Sequence, residues 1–277
     1  MQIIDTAIAI TVFFFGAIIG SFLNVVILRY NSGRTLGGRS MCFSCGKQLH
    51  WTAMIPIGSW ITQKGKCTVC YAPISWQYPI VETITGILFV LLYYRFSYLL
   101  IGTPLLFTIL FAFYAFVFCT LVVLSVYDLR HKILPDPLVS LFLSIAFVGL
   151  FMISGDAIVL HFPTLWNILS GILLPAPFVL LWYFSKGRWM GLGDAKLMVG
   201  IGFLLGLSSG IAAILLSFWI GAVVSILLLL VTTLFHKGKI SMQTAIPFGP
   251  FLVIGTAVAF FCSIDFVSIM NLFSRIL

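Results

Sequence analysis

Charge is what this 277-residue sequence has least of: 8% of its residues are Asp, Glu, Lys or Arg, and only 7 are acidic. With 61% hydrophobic residues beside that scarcity, a soluble globular domain is excluded, and the chain reads as a polytopic membrane protein. Its length therefore counts apolar runs of roughly 20 residues rather than soluble domains. A basic stretch ahead of the first apolar run is also missing. Asp5 precedes that run and no Lys or Arg does, which argues against a cleavable signal peptide and predicts an uncleaved first helix with its N-terminus outside. No Gly-x-Gly-x-x-Gly follows a strand, and no room is left for a soluble Rossmann-type domain. Internal repeats and low-complexity segments are absent as well. The net charge of +8 reads as topology and not as a nucleic-acid footprint, because the basic residues sit in short loops between apolar runs.

Apolar patterning predicts an all-α protein of about eight transmembrane helices carrying a small cytoplasmic loop domain. Residues 1–28 form the first helix, with the span itself over 7–28. Residues 29–78 are polar, basic and glycine-containing. The rest, 79–277, forms the transmembrane core, with spans over 79–94, 104–126, 137–153 and 166–184, and a last span over 247–270. Between 197 and 235 the run is too long for one helix, and Gly206-Leu207-Ser208-Ser209-Gly210 is the expected turn between a sixth and a seventh span. In that arrangement Arg29, Arg34, Arg39, Lys47, Lys64, Lys66, Arg130, Lys132, Lys186, Arg188, Lys196, Lys237 and Lys239 lie inside. Only Arg95 and Arg275 of the 15 basic residues lie outside, and such asymmetry supports the span count and the orientation together. Asp5, Asp156 and Asp265 fall outside; Glu82, Asp128, Asp136 and Asp194 fall at the cytoplasmic face. Gly20-Ser21-Phe22-Leu23-Asn24-Val25, ending the first span, offers small and amide side chains for close helix packing or for bonds across an interface.

The loop holds Cys42-x-x-Cys45 and Cys67-x-x-Cys70, separated by 21 residues. Two such knuckles bring four thiolates into the tetrahedron that Zn²⁺ prefers. On the cytoplasmic side thiols stay reduced, which disfavours disulfides. A closed four-cysteine site leaves no position for water, so the metal is expected to be structural; a redox pair is the competing reading. A zinc-ribbon-like loop of about 50 residues has little core, and the metal would supply its stability. Cys119 and Cys262 lie alone within spans and read as packing residues.

Asp128 closes the third span and Asp194 opens the sixth, within Met190-Gly191-Leu192-Gly193-Asp194-Ala195-Lys196. Two carboxylates at one membrane level can share a proton and activate a water. Helix dipoles and the nearby Lys196 favour charge on Asp194 and leave Asp128 as the protonated partner. Interfacial aspartates also simply cap helices, and that alternative stays open for both. Asp136 before Pro137 reads as an N-cap followed by N1. Glu82, in the first turn of the second span, also reads as a complement to the helix dipole.

Taken together, these residues resemble the type IV prepilin peptidases, bacterial membrane aspartic proteases of the Gly-x-Gly-Asp type. The resemblance covers essentially the whole chain. It rests on the Gly20–Val25 run, the paired Cys-x-x-Cys loop, Tyr78-Pro79-Ile80-Val81-Glu82, the run from Asp128 through Leu129-Arg130-His131-Lys132-Ile133-Leu134-Pro135 to Asp136, and Gly191–Lys196. It implies that Asp128 and Asp194 are the catalytic pair. They would remove a short basic leader from type IV prepilin or pseudopilin precursors at the cytoplasmic face of the bacterial cytoplasmic membrane. Such precursors serve type IV pilus, competence and type II secretion systems. The resemblance further implies N-methylation of the new terminus with S-adenosylmethionine, for which Glu82 is a candidate binding residue. Leu134 departs from the Ile that many members carry before Pro-Asp.

Three other readings remain in view. Presenilin-like and signal-peptide-peptidase-like proteases share Tyr-Asp and Gly-Leu-Gly-Asp, but carry Pro-Ala-Leu where this chain has Pro247-Phe248-Gly249-Pro250-Phe251. A proton-coupled transporter would place its acids near the bilayer midplane and not at one interface. A zinc-bearing membrane assembly factor would need no catalytic pair.

Overall fold

A computed structural model of the chain describes residues 2–33, 35, 37–154, 157–158, 161–234 and 246–276. Arg34, Asp156, Lys237 and Lys239, which enter the topology above, lie outside the described residues. The protein is helical: α1 (Gln2–Arg29), α2 (Gly58–Thr62), α3 (Gln77–Phe96), α4 (Leu99–Gly102), α5 (Pro104–His131), α6 (Asp136–Met152), α7 (Leu165–Leu173), α8 (Ala176–Ser185), α9 (Leu192–Leu234), α10 (Gly249–Phe261) and α11 (Phe266–Ile276). One two-residue antiparallel pairing joins Ile153–Ser154 to Ala157–Ile158. Five helical segments among the described residues are long and apolar enough to cross a membrane: Asp5–Arg29, Gln77–Phe96, Pro104–His131, Leu165–Ser185 and Leu192–Thr232. Asp136–Met152 and Gly249–Phe261 are apolar but shorter.

The helices divide the chain into two compact units, Met1–Val123 and Leu124–Leu277. In the first, α1 and α3 approach backbone to backbone. A Cβ on Gly20 would stand 2.8 Å from Glu82 Cα, and one on Gly16 would stand 2.8 Å from the Phe89 side chain. Gly86 meets Phe13 in the same way. Lipid tails are as apolar as the helices, so such dispersion contacts between small residues are what hold spans together. Phe89, Tyr93 and Phe96 of α3 also meet Phe111, Phe107 and Tyr114 of α5, two pairs edge to face and the last stacked. Asn24 is buried; its amide donates to the Tyr78 carbonyl (3.3 Å) and accepts from the Gln77 amide (3.2 Å). The bond across an interface expected of the first span is therefore present.

In the second unit, α6, α7, α10 and α11 pack on α9. Here three expected boundaries shift. The expected turn over 206–210 is a kink at Gly206 alone, φ 75° and ψ −177°, joining 192–205 to 207–234. Only glycine adopts that region readily, and a one-residue break leaves fewer backbone groups unpaired than a loop would. The span expected over 166–184 is interrupted between α7 and α8, where Pro175 and Pro177 remove backbone donors. The last span ends at Phe261, Ser263 turns left-handed (φ 51°), and Asp265 caps α11 by accepting from Ser268 N at 2.8 Å.

The contact between Gly20 and a neighbouring backbone cannot be relieved by a rotamer change. Gly20→Leu should destabilise the protein by about 1–3 kcal/mol through overpacking, measured as a lowered unfolding midpoint in detergent micelles.

Candidate active site

Asp128 sits in the last turn of α5. Lys132 takes a left-handed conformation (φ 55°) directly after that helix, and Pro135 and Pro137 prevent its continuation. Its carboxylate is buried, with 5% exposure. Oδ2 accepts a hydrogen bond from Gly249 N at 3.1 Å, at the start of α10. A Cβ on Gly249 would lie 2.6 Å from that oxygen, so only glycine allows the donor this close. The segment around Gly249 had no assigned role in the sequence. Proline after glycine marks a helix start, but no local signal says which carboxylate the start will meet.

Asp194 lies in the first turn of α9 and is half-buried. It lies near enough to Asp128 for the charge of that carboxylate to be felt at it. Gly193, beside it, lies under Leu134: a Cβ there would stand 3.1 Å from Leu134 Cβ. Two details of the expected electrostatics change. Lys196 Nζ binds Asp136 Oδ1 at 2.7 Å, where the sequence suggested a cation serving Asp194. The carboxylate of Asp128 faces a helix N-terminus, that of α10, as well as its own C-terminus. The dipole argument that gave Asp128 the proton therefore loses its force, and the pair is best treated as a unit. Asp136 is not the N-cap of α6. Pro135 holds that position in an extended conformation and Asp136 is the first helical residue.

Glu82 falls in the second turn of α3 rather than the first. It is buried, and it accepts from Ile57 N at 2.7 Å, with the Ser21 hydroxyl as a further partner. Ile57 has φ 61° and ψ −53°, a strained conformation for a β-branched residue. The buried carboxylate thus holds a tight turn of the cysteine loop against α3.

The four cysteines lie together, their sulfurs all within 4.8 Å of one another. Cys42 and Cys70 are 3.8 Å apart, the edge of a tetrahedron with metal–sulfur bonds of about 2.3 Å. Each knuckle closes the same way: Cys42 N donates to Lys47 O and Gly46 N to Cys42 O, as Cys67 N does to Ala72 O and Tyr71 N to Cys67 O. Backbone N–H groups of Cys45 and Ser44 hold the Cys42 thiol at about 6, and those of Cys70 and Val69 hold Cys67 below the usual thiol range. Against the Ala72 N–H, partial desolvation and the neighbouring sulfurs of Cys67, Cys45 and Cys42 push the exposed Cys70 thiol up to about 11. A thiolate cluster of this kind suits a metal cation, which offsets the repulsion among its ligands. In residues 30–76 only Gly65 and Cys67 are buried among the described residues, so the loop has little apolar core to hold it.

Because Gly249 has no room for a methyl group, Gly249→Ala should displace Asp128 and destabilise the protein by about 1–3 kcal/mol. Denaturant unfolding of the two proteins side by side measures this.

Residues 14–96 match the family model described as the bacterial peptidase A24 N-terminal domain, and residues 115–226 match the type IV leader peptidase family. The first match encloses the cysteine loop and Glu82; the second encloses Asp128 and Asp194. A protein of Xanthomonas campestris pv. campestris named prepilin leader peptidase/N-methyltransferase is 34% identical, over 91% of this chain and 90% of its own length. Proteins of the same name from Stutzerimonas stutzeri and Aeromonas hydrophila are each 32% identical; they cover 88% and 90% of this chain and 87% and 88% of their own lengths. No solved structure matches the chain. Similarity of this extent, with both family models in order along one sequence, means that the chain belongs to the type IV leader peptidase family.

Proposed function

We propose that the protein is a membrane aspartic endopeptidase that cuts the short basic leader from type IV prepilin or pseudopilin precursors. The nearness of Asp128, in the last turn of α5, to Asp194, in the first turn of α9, carries this reading. One carboxylate takes a proton from water, and the resulting hydroxide attacks the scissile carbonyl carbon. The other, protonated, donates to the carbonyl oxygen as it gains charge. When the tetrahedral intermediate collapses, one of its hydroxyls returns a proton to the second acid, the carbon–nitrogen bond breaks, and the leaving amine takes a proton from the acid that removed it from water. Gly249 N–H holds Asp128 in place throughout, so little reorganisation is needed. The apolar part of the precursor stays in the bilayer, which presents the cleavage site to acids at the interface.

The reading extends to topology. Eight crossings with the N-terminus outside place the acids at the cytoplasmic face of a bacterial cytoplasmic membrane. The basic-residue asymmetry supports this, as does the kink at Gly206, which lets α9 serve as two crossings. Cys42, Cys45, Cys67 and Cys70 would hold a structural Zn²⁺ in a ribbon-like loop, supported by the sulfur spacing. The second activity in the relatives' names supports methylation of the new α-amine. S-adenosylmethionine supplies an electrophilic methyl group for that step. Glu82, whose carboxylate Ile57 and Ser21 already engage, would serve that activity by shaping the turn at Ile57 rather than by contacting the co-substrate.

Intact mass of a prepilin co-expressed with this protein tests the whole reading. Wild type should remove the leader and add one methyl group. Asp194→Ala and Asp128→Asn should each slow cleavage about 10²–10⁴-fold; unchanged processing by either variant would sink the acid pair. The knuckles give a separate expectation. Gly46 has φ 72°, and a β-branched residue there costs about 1–2 kcal/mol, so Gly46→Val should lose zinc to a chelator faster than wild type. Tyr71 occupies the equivalent place with φ 56°, and Tyr71→Gly should retain zinc at least as well.

A further inference from the structure

Between the two acids runs a short seam that the reaction itself does not need. Lys132 to Pro135 leave α5 and enter α6 without helical structure. Leu134 from this segment covers Gly193, and two residues later Asp136 binds Lys196. Farther along, the Phe142 ring lies against Gly200. Leu134, Asp136 and Phe142 thus meet Gly193, Lys196 and Gly200 in order. The lower contact is apolar and fully buried on the Phe142 side, which fixes the register of α6 on α9. Ala195, Leu197 and Met198, flanking Lys196, are buried as well, so α9 is not free to rotate about its axis. What remains adjustable is the end of the seam nearest the acids, where α9 begins and α5 has just ended.

We infer that the Asp136–Lys196 ion pair is a positioning clamp for the acid pair. It ties the segment that follows Asp128 to the helix turn that carries Asp194, and so sets the separation of the two carboxylates. This rests on the reading of Asp128 and Asp194 as the catalytic pair. The ion pair is the right kind of device for that task. With side chains 40% and 73% exposed, it adds little to folding stability. It is also short, at 2.7 Å, and it lies only two residues from Asp194 along α9. A bond that contributes little to stability but closes a gap beside two reacting groups acts on geometry. Small displacements of such groups have large effects on turnover. Neither Asp136 nor Lys196 touches the reacting atoms in this scheme.

The test uses the full-length enzyme in detergent or nanodiscs with a prepilin peptide substrate. Asp136→Asn and Lys196→Met should each lower kcat about tenfold or more while KM stays within about twofold and the thermal midpoint is unchanged. The charge-swapped double variant, Asp136→Lys with Lys196→Asp, should recover most of the loss, which a structural or additive effect would not produce. Lys196→Arg keeps the charge but replaces a compact ammonium with a planar fork; it should fold and show an intermediate kcat, and it serves if Lys196→Met fails to fold. Wild-type kcat in Asp136→Asn and in the Lys196 variant tested would overturn the clamp. So would a raised KM at unchanged kcat, which would make Lys196 a substrate contact, or equal losses in the single and swapped variants. Cleavage by Asp194→Ala, run in parallel, would instead overturn the catalytic reading on which the clamp rests.

Discussion

A carboxylate buried at the end of an apolar helix needs a donor from the protein, because the surrounding medium supplies none cheaply. That requirement recurs in both units of this chain. Glu82 meets it with the backbone N–H of Ile57, and Asp128 meets it with the backbone N–H of Gly249. In each case the donor comes from a tight turn or helix start that approaches the acid closely. The acid therefore dictates local backbone: a strained Ile57 in one unit, an obligatory glycine in the other.

Glycine does the remaining positioning. Gly20 and Gly16 let α1 reach the backbone of α3, and Gly193 and Gly200 let Leu134 and Phe142 settle on α9. With no hydrophobic force between spans in lipid, close approach is the available source of cohesion. Motifs rich in glycine are thus read twice. They allow helices to touch, and at Gly193 they let Leu134 lie against the turn that carries Asp194.

The cysteine loop solves a different problem. Its described residues bury almost nothing, and it is held by the backbone hydrogen bonds that close the two knuckles, the Arg29 contacts with the carbonyls of Thr35 and Gly37, and the hold of Glu82 on Ile57. Trp60 provides the remaining core: its ring packs at a tilt against Trp76, donates to the Ile74 carbonyl and covers Gly65.

The local chemistry of the chain was enough to determine much of this protein. Runs of apolar residues demanded helices, the paired Cys-x-x-Cys spacing foretold the sulfur cluster, and Asp128 and Asp194 could be assigned to helix ends because one apolar run stops and another starts beside them. Each is a short-range property. Tertiary structure alone decided which distant groups meet them. Gly249 donates to Asp128 across 121 residues, Lys196 turns to Asp136 across 60, and Asp136 gives up its expected capping role. Composition made Gly206–Gly210 look like a loop, whereas packing of both halves of α9 reduced it to one kinked residue. The reason is the same in every case: propensity acts on neighbours in sequence, while the pairing of polar groups depends on which helix faces fit closely enough to come within hydrogen-bonding distance.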